Sequence, residues 1–228
     1  MAKFSQKESL LHFQNFINTV YNLIDDRLFS LSDLLSNQER FTMRALKGIR
    51  KGDRKKLKIN LLIALSWLMA IANRFHINVE GAVWRRFPFA CSYCGKAPCV
   101  CKRIRPLKRI KIVKEKSLQP KNLSDFQKML SLVYPATSRN LFESGIHLAE
   151  EMGELSEAIH AFLGEHKNKQ FENIEEEIAD FVSCLFGVAN SAKIDVAKEL
   201  SRMYYNNCHV CHKAPCVCKF SFVAEFKT

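Results

Sequence analysis

Two segments in the second half of the chain carry paired carboxylates at a spacing suited to a metal site. Glu151 and Glu154 are three residues apart, and Glu177 and Asp180 repeat that spacing after 22 intervening residues. Residues three apart project from one face of a helix, so each pair would present its acids together. Glu150 is also a neighbour of Glu154 on a helix, which leaves the identity of one ligand open. Like charges this close destabilise a helix unless a hard cation neutralises them.

Mg²⁺ is the cation that such a site favours, because it takes a few carboxylates, keeps waters and bridges substrate phosphates. The chemistry expected is hydrolysis of a phosphoanhydride, in which the metal neutralises phosphate charge and helps to generate the attacking hydroxide. The alternative interpretation is two acidic stripes that face solvent, since Glu is a good helix former and is usually exposed. Spacing alone leaves both interpretations open.

Eight of the nine cysteines lie in two clusters that share the pattern Cys-x₂-Cys-x₄-Cys-x-Cys. Four thiolates in so short a loop suit one tetrahedral Zn²⁺ ion, and a site closed by four ligands is structural. An iron–sulfur cluster remains an alternative. The predicted zinc ligands are Cys91, Cys94, Cys99 and Cys101 in the first cysteine loop, and Cys208, Cys211, Cys216 and Cys218 in the second.

The two cysteine loops belong to a longer internal repeat. Lys-Ala-Pro-Cys-Val-Cys-Lys recurs at an offset of 117 residues, and upstream Asn73 and Ile77 match Asn190 and Ile194 at the same offset. Such a repeat predicts two related structural units. We expect one unit at 1–102 with its loop at 91–101, a basic linker at 103–122, a second unit at 123–219 with its loop at 208–218, and a tail at 220–228.

The repeated units are predicted to be all-α. Apolar residues recur at helical spacing in most of the chain, and the composition is low in Gly and Pro. The expected helices cover 10–24, 60–75, 140–163, 174–192 and 196–205, with Gly164 as the C-terminal stop of the third. The linker alternates basic and apolar residues, so it could form an extended segment or a short strand, although a charged linker is the favoured interpretation.

One stretch of the second unit resembles a known family. Glu-Glu-Met-Gly-Glu-Leu-Ser-Glu-Ala-Ile, followed by Glu-Glu-Ile-Ala-Asp-Phe, is similar to the MazG-like all-α NTP pyrophosphohydrolases, over roughly residues 125–207. The resemblance implies hydrolysis of a nucleoside triphosphate, often a deoxy or non-canonical one, to the monophosphate and pyrophosphate. It also implies that Mg²⁺ is held by Glu151, Glu154, Glu177 and Asp180.

The same resemblance implies that a later helix supplies basic and amide side chains to phosphate. The candidates for this role are Lys198, Arg202 and Asn206. Lys198 and Arg202 are four residues apart and would share a helix face. An ordinary exposed basic face is the alternative interpretation for each residue.

The first unit lacks the acids. The positions that match the four carboxylates hold Gln38, Phe41, Asn60 and Ile63. These side chains cannot hold Mg²⁺, which requires carboxylate oxygens. The segment 43–53 resembles the inter-helix stretch of the family, so we interpret the first unit as a decayed copy.

The decayed unit is predicted to pack with the catalytic unit as an intrachain pseudo-dimer, because family members build their core and active site from two or more protomers. It would bury the apolar helices of the catalytic unit. It would also lend positive charge to the substrate phosphates through Arg44, Lys47 and Arg50. Simple exposure to solvent is the alternative for these three.

Charge is unevenly distributed along the chain. Residues 1–122 carry a balance of +17 and residues 123–228 a balance of −5. A strongly basic half points to phosphate, on nucleotides or on nucleic acid. The arginines around the first cysteine loop, such as Arg85, Arg86 and Arg105, could contact nucleic acid. No apolar run approaches the ~20 residues of a membrane span, so we expect a cytoplasmic protein without a membrane partner.

The leading functional hypothesis is a Mg²⁺-dependent nucleoside triphosphate pyrophosphohydrolase that works as a monomeric pseudo-dimer or as a homodimer. The second hypothesis is a catalytically inactive, zinc-containing module that binds nucleic acid or protein on the same scaffold. The intact acids of the second unit favour the enzyme, whereas the basic half and the paired cysteine loops favour the binding module.

Overall fold

The protein is all-α, as the sequence predicts. The computed structural model describes residues 3–138, 140–226 and 228, and within these residues it contains no strand. The helices are α1 (Leu10–Leu28), α2 (Leu31–Arg50), α3 (Arg54–Arg74), α4 (Val79–Arg86), α5 (Leu123–Val133), α6 (Leu141–Glu165), α7 (Asn168–Ser191), α8 (Val196–Met203) and α9 (Phe220–Glu225). Short 3₁₀ turns at Lys116–Leu118 and Ala136–Ser138 precede α5 and α6.

Side-chain caps fix where most of these helices begin. Ser30 and Asn140 form capping boxes with Asp33 and Glu143 at the starts of α2 and α6. Each box satisfies two backbone N–H groups that have no partner inside the helix. The predicted stop at Gly164 is wrong, because α6 continues to Glu165 and ends at a left-handed His166 with φ of 53°. The segment 43–53 also differs from prediction, since its first part completes α2.

The helices form two hairpins that pack into one core. α2 pairs with α3 and α6 pairs with α7, and most buried apolar side chains of these four helices belong to one large cluster, while Phe41, Ile63 and Ala64 form a smaller one. We call α1–α4 with the first cysteine loop the first half, and α5–α8 with the second loop the second half. The halves meet where α4 packs on α7 and α2 packs on α6. Gly145 permits the α2–α6 contact, because a Cβ there would lie 2.9 Å from Ile49 Cδ1.

One hydrogen-bond network occurs in both halves. Gln14 on α1 donates through Nε2 to Asn73 Oδ1 and Ile77 O, and its Oε1 accepts from the Val79 N–H. In the second half the network is repeated by Gln127, Asn190, Ile194 and Val196, at distances of 2.8, 2.8 and 3.0 Å. Each network ties the first helix of its half to the turn after the third. This recurrence supports the predicted duplication, although the predicted unit boundaries remain a prediction.

Each cysteine loop docks on the first helix of the opposite half. The Cys99 N–H donates to Val133 O at 2.8 Å, and the Cys216 N–H donates to Val20 O at 2.7 Å. Tyr21 Oη contacts His209 Nδ1 of the second loop at 3.2 Å. The halves therefore exchange their cysteine loops, as the protomers of a swapped dimer would.

Helix α3 bears on the expectation that no apolar run is long enough to span a membrane. By length and composition it could cross a membrane, and it is the one described helix of which this is true. However, 67% of its most apolar window is buried inside the protein. Leu61, Leu62 and Ile63 are consecutive and all buried, so α3 is buried on several faces, as a central core helix requires.

Candidate active site

Three of the four predicted carboxylates meet between α6 and α7. Glu151, Glu177 and Asp180 each place one carboxylate oxygen within 4.8 Å of the others. Glu154 lies one turn from Glu151, is exposed, and lines the same cleft. Glu150 stands outside the group and lies 3.8 Å from His147 Nδ1. The structure therefore places Glu151, and not Glu150, in the cluster.

Two oxygens of this cluster lack the partners that buried polar atoms normally have. Glu151 Oε2 and Glu177 Oε2 are buried, and no hydrogen-bond partner reaches either atom from the described residues. Burial and the neighbouring carboxylates raise the pKa of Glu151 to about 8 and that of Glu177 to about 7. A buried carboxylate oxygen without a donor is costly, and a cation is the natural neutralising partner.

Arg86 is the one strong positive group in direct contact with the cluster among the described residues. Its Nε donates to Asp180 Oδ1 at 3.0 Å, a second nitrogen donates to Asp180 Oδ2, and Nη1 donates to Glu176 at 2.7 Å. The side chain is only 10% exposed. Arg86 ends α4 of the first half, so both halves build the site. The sequence did not identify this role, because the exchange of elements between halves leaves no local pattern.

The carboxylates open into a cleft of about 450 Å³, within the usual range for small-molecule sites. Its lining includes the acids Glu151, Glu154 and Asp180. Residues of the first cysteine loop also line it, and Arg86, Lys102, Arg105 and Arg109 add positive charge. A cleft lined by both acids and cations can hold a metal ion and an anion together.

The helices that carry the acids match the model of a known family. Residues 144–209 match the MazG nucleotide pyrophosphohydrolase domain. This match confirms the resemblance drawn from the sequence, and it runs from the first turn of α6 into the second cysteine loop. No curated protein and no solved structure matches the chain.

The six residues predicted to bind phosphate, five basic residues and Asn206, lie outside the lining of this cleft. None of the six candidates is among the described residues that line it. Arg202 on α8 pairs with Glu199 at 2.9 Å, and Lys198 is exposed on the same helix. Asn206 Oδ1 accepts from the neighbouring Asn207 side chain at 3.3 Å.

The three candidates on α2 are also elsewhere. Arg44 Nη1 donates to Phe226 O at 2.6 Å, and its guanidinium lies over the Phe41 ring. Lys47 and Arg50 are exposed. Among the described residues, the cation that contacts the acids is Arg86.

The matching positions in the first half form a closed polar and apolar patch. Gln38 donates to Thr42 Oγ1, and Asn60 accepts from the Thr228 hydroxyl. Phe41 and Ile63 are buried in one small apolar cluster. No carboxylate replaces the lost acids at these four positions, so this half offers no comparable site for Mg²⁺.

Both cysteine loops gather four thiols at metal-binding distance. All four Sγ atoms in each loop lie within 4.8 Å of one another. Individual Sγ–Sγ distances are 3.7 Å for Cys91–Cys101 and 3.7 Å for Cys211–Cys216. A tetrahedron with metal–sulfur bonds of about 2.3 Å has edges of about 3.8 Å. Each loop could therefore bind one tetrahedral metal ion without rearrangement.

Proposed function

We propose that this protein is a Mg²⁺-dependent nucleoside triphosphate pyrophosphohydrolase, which converts an NTP, a dNTP or a non-canonical NTP to the monophosphate and pyrophosphate. The observation that carries the proposal is the pair of buried carboxylate oxygens without hydrogen-bond partners, Glu151 Oε2 and Glu177 Oε2. They lie beside Asp180, on helices that match the MazG domain.

The donor set fits magnesium, since it offers several carboxylate oxygens beside open space for substrate. Glu151, Glu177 and Asp180 would hold the ion, and Glu154 would complete the set from the open side. When bound, Mg²⁺ neutralises phosphate charge and lowers the pKa of a coordinated water.

The side chains around the acids have their own tasks in this proposal. Arg86 fixes the orientation of Asp180 through two hydrogen bonds. The cleft positions the triphosphate so that a water oxygen forms a bond to the α-phosphorus. The bond from that phosphorus to the α–β bridging oxygen breaks, and pyrophosphate leaves with the bridging oxygen. Positioning of this kind supplies much of the rate enhancement in phosphoryl transfer.

Pyrophosphate release from a panel of NTPs and dNTPs with Mg²⁺ tests the proposal. We expect release by the wild-type chain, and loss of at least about a hundredfold in rate for Glu177→Gln, because one removed electrostatic group commonly costs that much. Glu157→Gln, an exposed residue on α6, is the matched control and should retain the wild-type rate.

Two results would contradict the enzyme proposal. Equal rates for Glu177→Gln and the control would refute the ligand assignment. No release from any substrate, together with salt-sensitive binding to DNA or RNA, would support the inactive binding module instead.

We further propose that both cysteine loops bind structural Zn²⁺. Purified protein should contain two zinc ions per chain by elemental analysis, because each loop closes a four-thiolate site. A brown protein that contains iron and sulfide would instead support the iron–sulfur alternative.

A further inference from the structure

The basic linker between the halves is attached to the first cysteine loop. The Ile110 N–H donates to Tyr93 O at 3.1 Å, and the Arg105 guanidinium lies 4.6 Å from the centre of the Tyr93 ring. Gly95, with φ of 66°, faces the Ile110 side chain. These contacts hold the linker along the wall of the cleft, so it is more than a spacer.

Two arginines of the linker reach the carboxylate site. Arg105 and Arg109 both line the cleft that holds Glu151, Glu154 and Asp180. Arg109 Nη1 lies 3.5 Å from Glu176 Oε2, the same carboxylate oxygen that accepts from Arg86. Both linker arginines are exposed, so their side chains can turn towards an anion in the cleft.

The tail after the second cysteine loop occupies the corresponding place in the first half. At the offset of 117 residues, Arg105 and Arg109 match Phe222 and Phe226. Phe226 packs on Phe41 with ring centroids 6.3 Å apart. Phe41 occupies the position that matches Glu154 of the second half. The tail therefore covers the decayed site in the way that the linker borders the acidic one.

The replacement of charge by apolar side chains is coordinated across this decayed site. Asp180 is matched by Ile63, Arg86 by Met203 and Arg109 by Phe226. Ile63, Met203 and Phe226 form one apolar cluster together with Phe41. Where the acids are lost, the arginine positions have become apolar too.

This pattern separates the two linker arginines from a generally basic linker. If Arg105 and Arg109 only kept the linker soluble, the residues at the matching positions of the tail would not be expected to lie at the decayed site. Instead, the charged residues occur together at the acidic site, and their apolar matches occur together at the decayed site. The arginines therefore belong to the same functional unit as the acids.

We propose that Arg105 and Arg109 bind the polyphosphate of the substrate, so that the linker is part of the active site. This inference rests on the proposed function and identifies the source of the phosphate-binding cations. Arginine suits the task because its planar fork donates two hydrogen bonds to a phosphate. Arg86 is already bonded to Asp180 and Glu176. Arg105 lies 4.6 Å from the centre of the Tyr93 ring, and Arg109 lies 3.5 Å from Glu176 Oε2.

Titration calorimetry with inorganic tripolyphosphate and Mg²⁺ tests binding without hydrolysis of a nucleotide. Arg109→Ala and Arg105→Ala should each weaken tripolyphosphate binding about tenfold, the usual effect of one charge-assisted contact. Lys108→Ala is the matched control, because Lys108 is an exposed linker cation outside the cleft lining. It should bind like the wild type, and Arg109→Lys should recover part of the loss.

The outcomes distinguish this inference from the proposed function. If the wild type releases pyrophosphate from nucleotides but both arginine variants match Lys108→Ala in binding and in KM, the inference is wrong and the function stands. If the wild type binds tripolyphosphate through the arginines but hydrolyses no nucleotide, the inference stands and the function is wrong. A wild type that binds no tripolyphosphate would overturn the inference. Circular dichroism of each variant checks the fold.

Discussion

Replacing Glu151 by Gln should make the metal-free protein more stable at high pH, although the residue lies in the centre of the proposed site. Burial and the neighbouring carboxylates raise its pKa from 4.5 to about 8. A carboxyl group with a raised folded-state pKa stabilises the fold below its unfolded pKa, and this contribution is lost as pH rises through the folded pKa. Gln has a similar shape and does not titrate, so the variant should not lose this stability as pH rises.

The size of the effect follows from the same pKa. The difference between 4.5 and about 8 corresponds to a ceiling of about 5 kcal/mol, since each tenfold change in proton affinity is worth about 1.4 kcal/mol. Glu151 is only half-buried, so solvent screens its charge and we expect about 2 kcal/mol. The wild type and Glu151→Gln should have similar unfolding free energies at about pH 4, and at about pH 9 the variant should be more stable by about 2 kcal/mol.

Urea denaturation at both pH values measures this difference. The buffer should lack Mg²⁺ and contain no chelator, because a chelator would remove zinc from the sites proposed in the cysteine loops. Glu157→Gln, on the exposed face of the same helix, should change the unfolding free energy little at either pH. If Glu151→Gln is less stable than the wild type at about pH 9, or is shifted equally at both pH values, the Glu151 carboxyl does not titrate in the folded protein as described.

Three further predictions concern the metal, the repeat and the tail. Mg²⁺ should raise the melting temperature more at about pH 8.5 than at about pH 6, because protonated Glu151 and Glu177 are poor ligands; an equal shift would contradict this. Gln127→Ala should lower the unfolding free energy, measured in urea, by about 2–4 kcal/mol, because it removes the partners of the Ile194 carbonyl and the Val196 N–H. Gln14→Ala should have an effect of the same size, because it removes the partners of the Ile77 carbonyl and the Val79 N–H. Phe226→Ala should cost about 1 kcal/mol and leave pyrophosphate release unchanged; a loss of activity would contradict its place at the decayed site.

Local sequence patterns predicted the parts of the fold that depend on local spacing. The expected helices over 60–75, 140–163 and 174–192 correspond to α3, α6 and α7, because apolar residues at helical spacing define a buried face. Helix α2 was not predicted as one long helix. Its buried stripe contains the polar residues Gln38 and Thr42, and its place is fixed by packing on α3 and α6.

The candidate site likewise has a part that local sequence patterns predict and a part that they do not. The acids were predictable, because a three-residue spacing on consecutive helices is visible in one segment of sequence. The cations were not, because Arg86, Arg105 and Arg109 come from the first half and the linker. The elements of one half that contact the acids of the other half are set by how the two halves pack. No single segment of sequence reports that packing. The match between Arg109 and Phe226 is the one sequence signal that could have pointed to the linker.

The proposed function is the release of pyrophosphate from a nucleoside triphosphate at the α6–α7 carboxylates. Phosphorus NMR of the full chain with Mg²⁺ and a mixture of dNTPs identifies the products directly. We expect equal amounts of nucleoside monophosphate and pyrophosphate, and at least about a hundredfold slower formation of both with Glu177→Gln. Diphosphate and orthophosphate as products, or no change in the triphosphates by protein with both cysteine loops metal-filled, would contradict the proposed function.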